Sequence, residues 1–431
     1  MDWTFADAVA YLDDHLNLET VSTRRATAPT LDRIRRLTEL MADPQQQYPV
    51  IHVTGTNGKT STAAILTSIL QAKGLSVGTY TSPHLERVNE RISWNGEPIS
   101  DGAFAEVLAE IAPLEPLLDD RPTVFELLTA AAFKWFADVA VDVAVVEVGL
   151  GGTWDATNVA DGRVAVITNV GIDHVEYLGP TRDGIAREKA GIVKPGSLFI
   201  LGETDPALAP IFDSTPAAET WRRDDDFACV ENRLAHGGRL LDIRTPAASY
   251  DDLYLPLHGA HQGDNAACAL AAAEAFFGAA VEPDLAAEAF AAARSPGRME
   301  IVGRHPLCIL DGAHNPAGAR AAATTIKEAF PESASRILVV GLLHGRDPDE
   351  MLAALDLDGV RLVVACPPPS PRALPAAEVV AAATRAGVAA VEAATVAEAV
   401  DRAVAAAESE ELILVTGSLY VVGAARTALR S

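Results

Sequence analysis

Lysine is nearly missing from this chain. Of 431 residues only six are lysine, at positions 59, 73, 134, 189, 194 and 327, against 59 acidic residues and a formal net charge of −25. That imbalance opposes binding of nucleic acid or an anionic membrane, because the field of the protein repels polyanions. Cysteine is scarce as well: Cys229, Cys268, Cys308 and Cys366 stand apart with no CxxC spacing, which argues against a zinc site or a disulfide framework and leaves buried free thiols as the reading. No uninterrupted apolar run of about 18 residues occurs, and Met1-Asp2-Trp3-Thr4 is not a basic-then-apolar leader, so neither a membrane span nor a secretory signal is expected. A cytoplasmic protein is expected, and a monomer, since no exposed apolar seam is readable.

What is present is an alternation of β-rich apolar runs and alanine-rich helical stretches. Val50–Val53, Ser76–Tyr80, Val141–Val148 and Val164–Asn169 read as buried parallel strands, separated by helices at Ser61–Lys73, Phe125–Phe136 and Arg182–Val193. The chain is too long for one core. Residues 225–256 hold short strand-like pieces (Phe227–Glu231, Leu240–Arg244, Leu253–Leu257) and predict a small antiparallel flap. Helices follow from about Gln262 to Phe277 and from about Asp284 to Ala293. Arg294-Ser295-Pro296-Gly297-Arg298 is rich in turn formers and marks a boundary. Beyond it Leu307–Leu310, Arg336–Val340, Arg361–Ala365 and Leu412–Val415 restart the alternation. The expected fold is α/β: an amino-terminal domain of residues 1–296 built on a P-loop-type, mostly parallel sheet with a flap near 225–256, and a Rossmann-like α/β domain of residues 297–431.

Gly55-Thr56-Asn57-Gly58-Lys59-Thr60 lies between a strand and a helix, the context of a phosphate-binding loop. Glycines let backbone N–H groups close around phosphate oxygens, and the helix N-terminus adds its dipole. Lys59 would reach the β- and γ-phosphates of ATP and the Thr60 hydroxyl a magnesium ion. The usual pattern wants glycine at position 53, where this chain has Val53, so a plain glycine turn stays open as the alternative.

Glu147 ends a second apolar strand and is followed by Gly149, Gly151 and Gly152, which leave room for a ligand against bare backbone. A solvated strand-end glutamate is the bland alternative. A third strand delivers Asn169, Asp173 and His174 to the same edge; a lone histidine is more often structural, but with Glu147 and Ser82 or Thr60 it could complete a sparse magnesium shell. Lys189 precedes Gly191 near a helix end, where a surface cation is the simple reading.

These motifs, in this order, closely resemble the folylpolyglutamate synthase and dihydrofolate synthase family of the Mur ligase superfamily. The resemblance rests on Thr54 to Thr60, Ser82-Pro83-His84-Leu85, Asn89-Glu90-Arg91, Phe125-Glu126, Glu147 to Asn158, Thr168 to Gly196, His261-Gln262, Asn265-Ala266, Pro296-Gly297-Arg298 with Glu300, and Asp311 to Pro316. It implies an ATP-dependent ligase that joins L-glutamate to dihydropteroate, to reduced folates, or to both. It implies that Gly55, Thr56, Asn57, Gly58, Lys59 and Thr60 bind the triphosphate, with Asn265, Arg298 and Asp311 also contacting ATP. Ser82, Glu147 and His174 would hold a second magnesium ion beside the one near Thr60, and Lys189 would be carbamylated. Catalytic roles are thereby expected for Lys59, Lys189 and His174. The pteroate pocket would use Pro122, Thr123, Val124 and Phe125, then Trp154, Asp155 and Ala156, with the stretch from Pro29 to Asp32. Thr153 departs from a common arginine, Thr30-Leu31-Asp32-Arg33 from a Gly-Leu-containing start, and Arg346 from a common lysine. Two other readings remain: a Mur-type ligase for a different carboxylate, though little chain precedes the loop to form a uridine-nucleotide domain, and an ATP-binding regulator, which would need the loop but not the rest.

The acidic pairs Asp13-Asp14, Asp119-Asp120 and Asp251-Asp252 are spread along the chain, as expected for a surface adapted to concentrated salt rather than one docking patch. The melting temperature is therefore expected to climb from low salt to molar potassium chloride. A flat series in a thermal melt would remove this reading.

Overall fold

The computed structural model describes residues 3–19, 30–332 and 335–430. Eight strands form the first sheet: β1 Val50–Thr54, β2 Val77–Tyr80, β3 Ile92–Trp94, β4 Glu97–Pro98, β5 Val143–Glu147, β6 Gly162–Ile167, β7 Leu198–Leu201 and β8 Glu219–Arg222, in the order β4-β3-β2-β5-β1-β6-β7-β8. Along that order pairing from β2 to β8 is parallel, and only the pairs β2–β3 and β3–β4 are antiparallel. Every residue of β1 and β5 is buried, which is why both read as continuous apolar runs rather than alternating ones.

Register then decides what can meet. Val53 stands opposite Glu147 of β5 on one side and opposite Val166 of β6 on the other. The loops that follow these three central strands leave the sheet at one level, along its carboxyl edge, which is where doubly wound sheets hold ligands.

Strands β9 Ala228–Ala235, β10 Gly238–Arg244 and β11 Ser249–Leu255 form a separate antiparallel sheet, ordered β11-β10-β9. Its buried residues Leu241, Ile243, Tyr250, Leu253 and Leu255 share one core with the helices Lys59–Ala72, His261–Phe277 and Pro283–Ala292 and with the first sheet. The 225–256 segment is thus a packed layer. The helix His261–Phe277 is almost wholly buried and largely alanine, so the phosphate-loop helix Lys59–Ala72 approaches it closely, small side chains setting the distance.

The third sheet contains β12 Glu300–Arg304, β13 Leu307–Leu310, β14 Arg336–Val340, β15 Val360–Ala365, β16 Ala389–Glu392 and β17 Leu412–Thr416, in the order β12-β13-β17-β14-β15-β16. All but β12 are parallel to their neighbours. Helices cover both faces and make two cores, one around Leu338, Val363 and Leu414 and one around Ile337, Val364 and Val415. Both large sheets are the mostly parallel α/β type that the alternation predicts. Strands β3, β4, β7, β8, β12 and β16 are additions to that reading. No helix among the described residues is long and apolar enough to cross a membrane.

Candidate active site

The loop after β1 is held open by its neighbours. Gly58 takes a left-handed conformation (φ +84°), and a Cβ there would collide with the Asn265 side-chain amide; one at Gly55 would collide with the Thr168 hydroxyl. The loop after β6 clamps it from the side. Asn57 N–H donates to Asn169 Oδ1 at 3.0 Å, Asn169 Nδ2 and Thr168 Oγ1 donate to the Asn57 carbonyl at 2.9 and 2.6 Å, and Thr56 N–H donates to the Asn169 carbonyl at 3.0 Å. Asn265, expected to touch ATP, therefore sits directly on the loop.

Lys59 Nζ donates to the Gly55 and Thr56 carbonyls at 3.1 and 3.3 Å. Burial pushes its ammonium below the usual range, opposed by the carboxylates of Glu147 and Asp173. Thr60 Oγ1 donates to the Glu147 carboxylate at 3.0 Å, and the Ser82 backbone N–H points at the same group. Burial pushes the Glu147 carboxyl up, with Lys59 the leading opposing charge. The contacts thus join Thr60, Ser82 and Glu147 as one group. The fourth residue of the expected metal set, His174, groups with Asp173 and His314, their ligand atoms all within 4.8 Å of one another.

Asp173 is a meeting point between the first and third sheets. His174 N–H donates to its Oδ1 at 2.8 Å, Arg346 Nη1 lies 2.7 Å from that same oxygen, and Asn315 Nδ2 donates to Oδ2 at 2.9 Å. His314 Nε2 stands 3.5 Å from Oδ2. Burial alone would raise this carboxyl, but the His314 hydrogen bond and the charges of His174, His314 and Arg346 outweigh it and hold it far below the carboxylate range. His174 has a left-handed backbone (φ +49°), and burial lowers its imidazole to about 4 despite Asp173. Asn315 Nδ2 also reaches Asn57 Oδ1 at 3.2 Å, tying the third sheet to the phosphate loop itself.

Lys189 is only 3% exposed although it lies on the helix Arg182–Ala190 near its end. Burial, then the charge of Lys59, brings its amine down to about 7. Thr153 packs against the end of this helix, its N–H and hydroxyl both donating to the Glu188 carbonyl, and Gly152 has no room for a Cβ against the Glu188 and Lys189 carbonyls. Gly55, Lys59, Gly149, Asp173, Lys189 and His314 line one shared cavity.

Arg298 and Asp311 lie at the junction between sheets. The Asp311 carboxylate accepts from the Met299 and Ala313 N–H groups at 3.0 Å each, and a Cβ at Gly312 would collide with the Arg298 guanidinium. Asp311 thus spends its oxygens on shaping the loop that carries His314 and Asn315.

Among the expected pocket residues, Thr123 caps the helix Val124–Asp138 through a reciprocal box with Glu126, and Arg33 Nε donates to Glu126 at 3.1 Å. Pro122 precedes that cap and is buried, as is Val124. The Phe125 ring faces Gly149, where a Cβ would press on it, and lies 6.1 Å from the Tyr80 ring. Trp154 N–H donates to Glu188 Oε1 at 3.2 Å. Asp155 turns inward: it accepts from Leu150 N–H at 2.9 Å and Thr157 N–H at 3.0 Å, and burial brings its carboxyl up to about 6. Ala156 belongs to the core. Of the Pro29–Asp32 stretch, Pro29 lies outside the described residues, and Thr30 Oγ1 donates to Asp32 at 2.7 Å. Sequence reasoning gave no site role to His314, Asn315 or Arg346. The Asp311–Pro316 motif held two of them in plain view, but their target, Asp173, is more than a hundred residues away.

Comparison with known proteins agrees with this geometry. The chain matches the Mur ligase middle domain over residues 53–273 and the Mur ligase glutamate ligase domain over residues 297–419. It is 42% identical to the dihydrofolate synthase/folylpolyglutamate synthase of Mycobacterium tuberculosis, over 93% of this chain and 90% of that protein. A solved structure of M. tuberculosis folylpolyglutamate synthase complexed with ADP and AMPPCP superposes with a TM-score of 0.91 at 40% identity, covering 99% of this chain and 98% of that one. The bifunctional folylpolyglutamate synthase/dihydrofolate synthase of Yersinia pestis, complexed with AMPPNP and a manganese ion, gives 0.86 at 30% identity, covering 100% and 98%. The chain belongs to the folylpolyglutamate synthase and dihydrofolate synthase family of Mur ligases.

Proposed function

We propose that this protein joins L-glutamate to the carboxylate of dihydropteroate, of a reduced folate, or of both, at the expense of ATP. The observation that carries this reading is the shared cavity, where the phosphate loop's Lys59 meets Lys189 and, from the third sheet, His314. A simple nucleotide-binding regulator has no use for that convergence. The names and bound nucleotides of the relatives support it. We assign residues 1–296 to nucleotide and acceptor binding and 297–431 to the closing glutamate-ligase unit, in a cytoplasmic monomer.

The acceptor carboxylate attacks the γ-phosphorus, the bond to the bridging oxygen breaks, and ADP leaves. The N–H groups of Gly55 to Thr60 and the Lys59 ammonium cradle the phosphates throughout. The glutamate amine then attacks the acyl phosphate, the carbon–oxygen bond to phosphate breaks, and an amide forms. His314, Asn315 and Arg346, anchored on Asp173, bring the third sheet over the cavity and exclude water that would hydrolyse the acyl phosphate.

The donor set fits a divalent cation at one place. The Thr60 hydroxyl and the Glu147 carboxylate offer hard oxygens beside the phosphate loop, the donors magnesium prefers. Magnesium bound there would offset charge on the transferring phosphoryl group. The trio Asp173, His174 and His314 suits it less, with two nitrogen donors and a carboxylate already engaged by Arg346 and Asn315. A second ion would need the added oxygens of a carbamylated Lys189. The buried amine favours that modification: lowered to about 7 it is roughly half neutral at pH 7, and only the neutral form attacks carbon dioxide, losing a proton to leave a carbamate.

Glutamate- and magnesium-dependent ADP release, with dihydropteroate and tetrahydrofolate offered separately in molar potassium chloride and the products weighed, tests the reaction. Turnover is expected with at least one acceptor. Lys59→Ala should lower it roughly a hundredfold or more while leaving the melting temperature unchanged. A folded protein that binds ATP yet releases no ADP with either acceptor points to a different carboxylate substrate. For Lys189, labelled bicarbonate is expected to give a carbamate carbon signal that fades as pH falls below about 7, because protonation removes the nucleophilic amine. No signal at pH 8 would exclude carbamylation.

A further inference from the structure

Arg372 lies in the loop after β15, at the carboxyl edge of the third sheet, and only 16% of its side chain is exposed. Its Nε is buried and has no hydrogen-bond partner among the described residues. Among the described residues the one acidic group within 4 Å of it, Glu176 on the first-sheet side, stands 3.8 Å from Nη2, beyond hydrogen-bond reach. Burying a guanidinium with donors unspent is costly, and most other arginines here sit much closer to an acid: Arg346 meets Asp173 at 2.7 Å and Arg91 meets Glu19 at 2.6 Å.

The surroundings say which ligand would use those donors. Glu176 is two residues beyond His174 at the cavity. On the other side, the helix Leu419–Arg430 bridges to the expected acceptor pocket: its Gly423 packs on the Leu85 backbone, and its Val421 and Pro368 of the Arg372 loop both crowd Gly341. Leu85 follows His84, which Arg91 bonds, and the Arg91 carbonyl accepts from Thr81 N–H beside Tyr80, whose ring neighbours Phe125. A line of packed contacts therefore joins Phe125, Tyr80, Arg91 and this helix to the loop of Arg372, beside the shared cavity. Arg91 is fully engaged on it, with two bonds to Glu19 and a third to His84 Nδ1. Arg372 is not.

We propose that Arg372 binds the spare carboxylate on the glutamyl end of an acceptor that already carries glutamate, and so sets the preference for glutamylated acceptors over pteroate ones. This rests on the ligase reading above. Dihydropteroate has one carboxylate, consumed in the reaction, whereas a glutamylated acceptor has two on its terminal residue, one that reacts and one left over. A guanidinium fork with free donors matches that leftover group.

The test compares Arg372→Ala and Arg372→Lys with the unmodified protein by ADP release at saturating ATP. Acceptor and L-glutamate are each titrated, with dihydropteroate or tetrahydrofolate as acceptor. Arg372→Ala is expected to raise KM for tetrahydrofolate roughly tenfold or more with kcat little changed, and to move KM for dihydropteroate by less than about twofold. Arg372→Lys should recover part of the loss. Equal losses on both acceptors, an unchanged KM for tetrahydrofolate, or a raised KM for L-glutamate with either acceptor would overturn the assignment. So would an unmodified protein that takes dihydropteroate but refuses tetrahydrofolate. Inactivity of the unmodified protein with both acceptors is a separate result that removes the ligase reading itself. Should Arg372→Ala fail to fold by circular dichroism, Arg372→Gln keeps the bulk without the charge and carries the same comparison.

Discussion

The buried carboxylate of Asp173 is the tie on which the working arrangement of this molecule depends. It leaves the first sheet from the loop after β6, and the side chains that satisfy it, Asn315, His314 and Arg346, all come from the third. Taking one partner from such a group strands a charge away from water, which costs more than the pair itself contributes. The two sheets are therefore held in one relation by a polar contact with little tolerance for partial loss. The same contact sets the distance between phosphate loop and glutamate-ligase unit, since Asn315 touches both Asp173 and Asn57.

Beneath that tie lies packing that asks for small residues. An alanine-rich helix lets the phosphate-loop helix come close, and Asn265 on it lands against Gly58. Glycines at 149, 151 and 152 admit Phe125 on one flank and the end of the Lys189 helix on the other. Larger side chains at these positions would push apart elements whose polar tips have to meet within a few tenths of an ångström.

The central strands were legible because they are buried on both faces and read as apolar runs, and their carboxyl ends named Glu147 and the Asp173-His174 pair. Edge strands were not. Glu219–Arg222 and Ala389–Glu392 sit at sheet margins, where little burial is demanded and no apolar run betrays them. The phosphate loop, with Thr60 and Glu147, could be read from local patterns. The partnership of Asp173 with Arg346 and His314 could not, because spacing along a chain says nothing about which loops face each other once two sheets dock. Asp155 shows the converse: a motif residue whose carboxylate supports its own loop.

Lys59 rests on the carbonyls of Gly55 and Thr56, the backbone of the very loop it serves. With those two carbonyls as acceptors the buried ammonium is already answered from within. On the ligase reading, a triphosphate would have to displace them, and a departing product would hand the ammonium back. The loop would then compete with its own ligand, trading some nucleotide affinity for products that can leave.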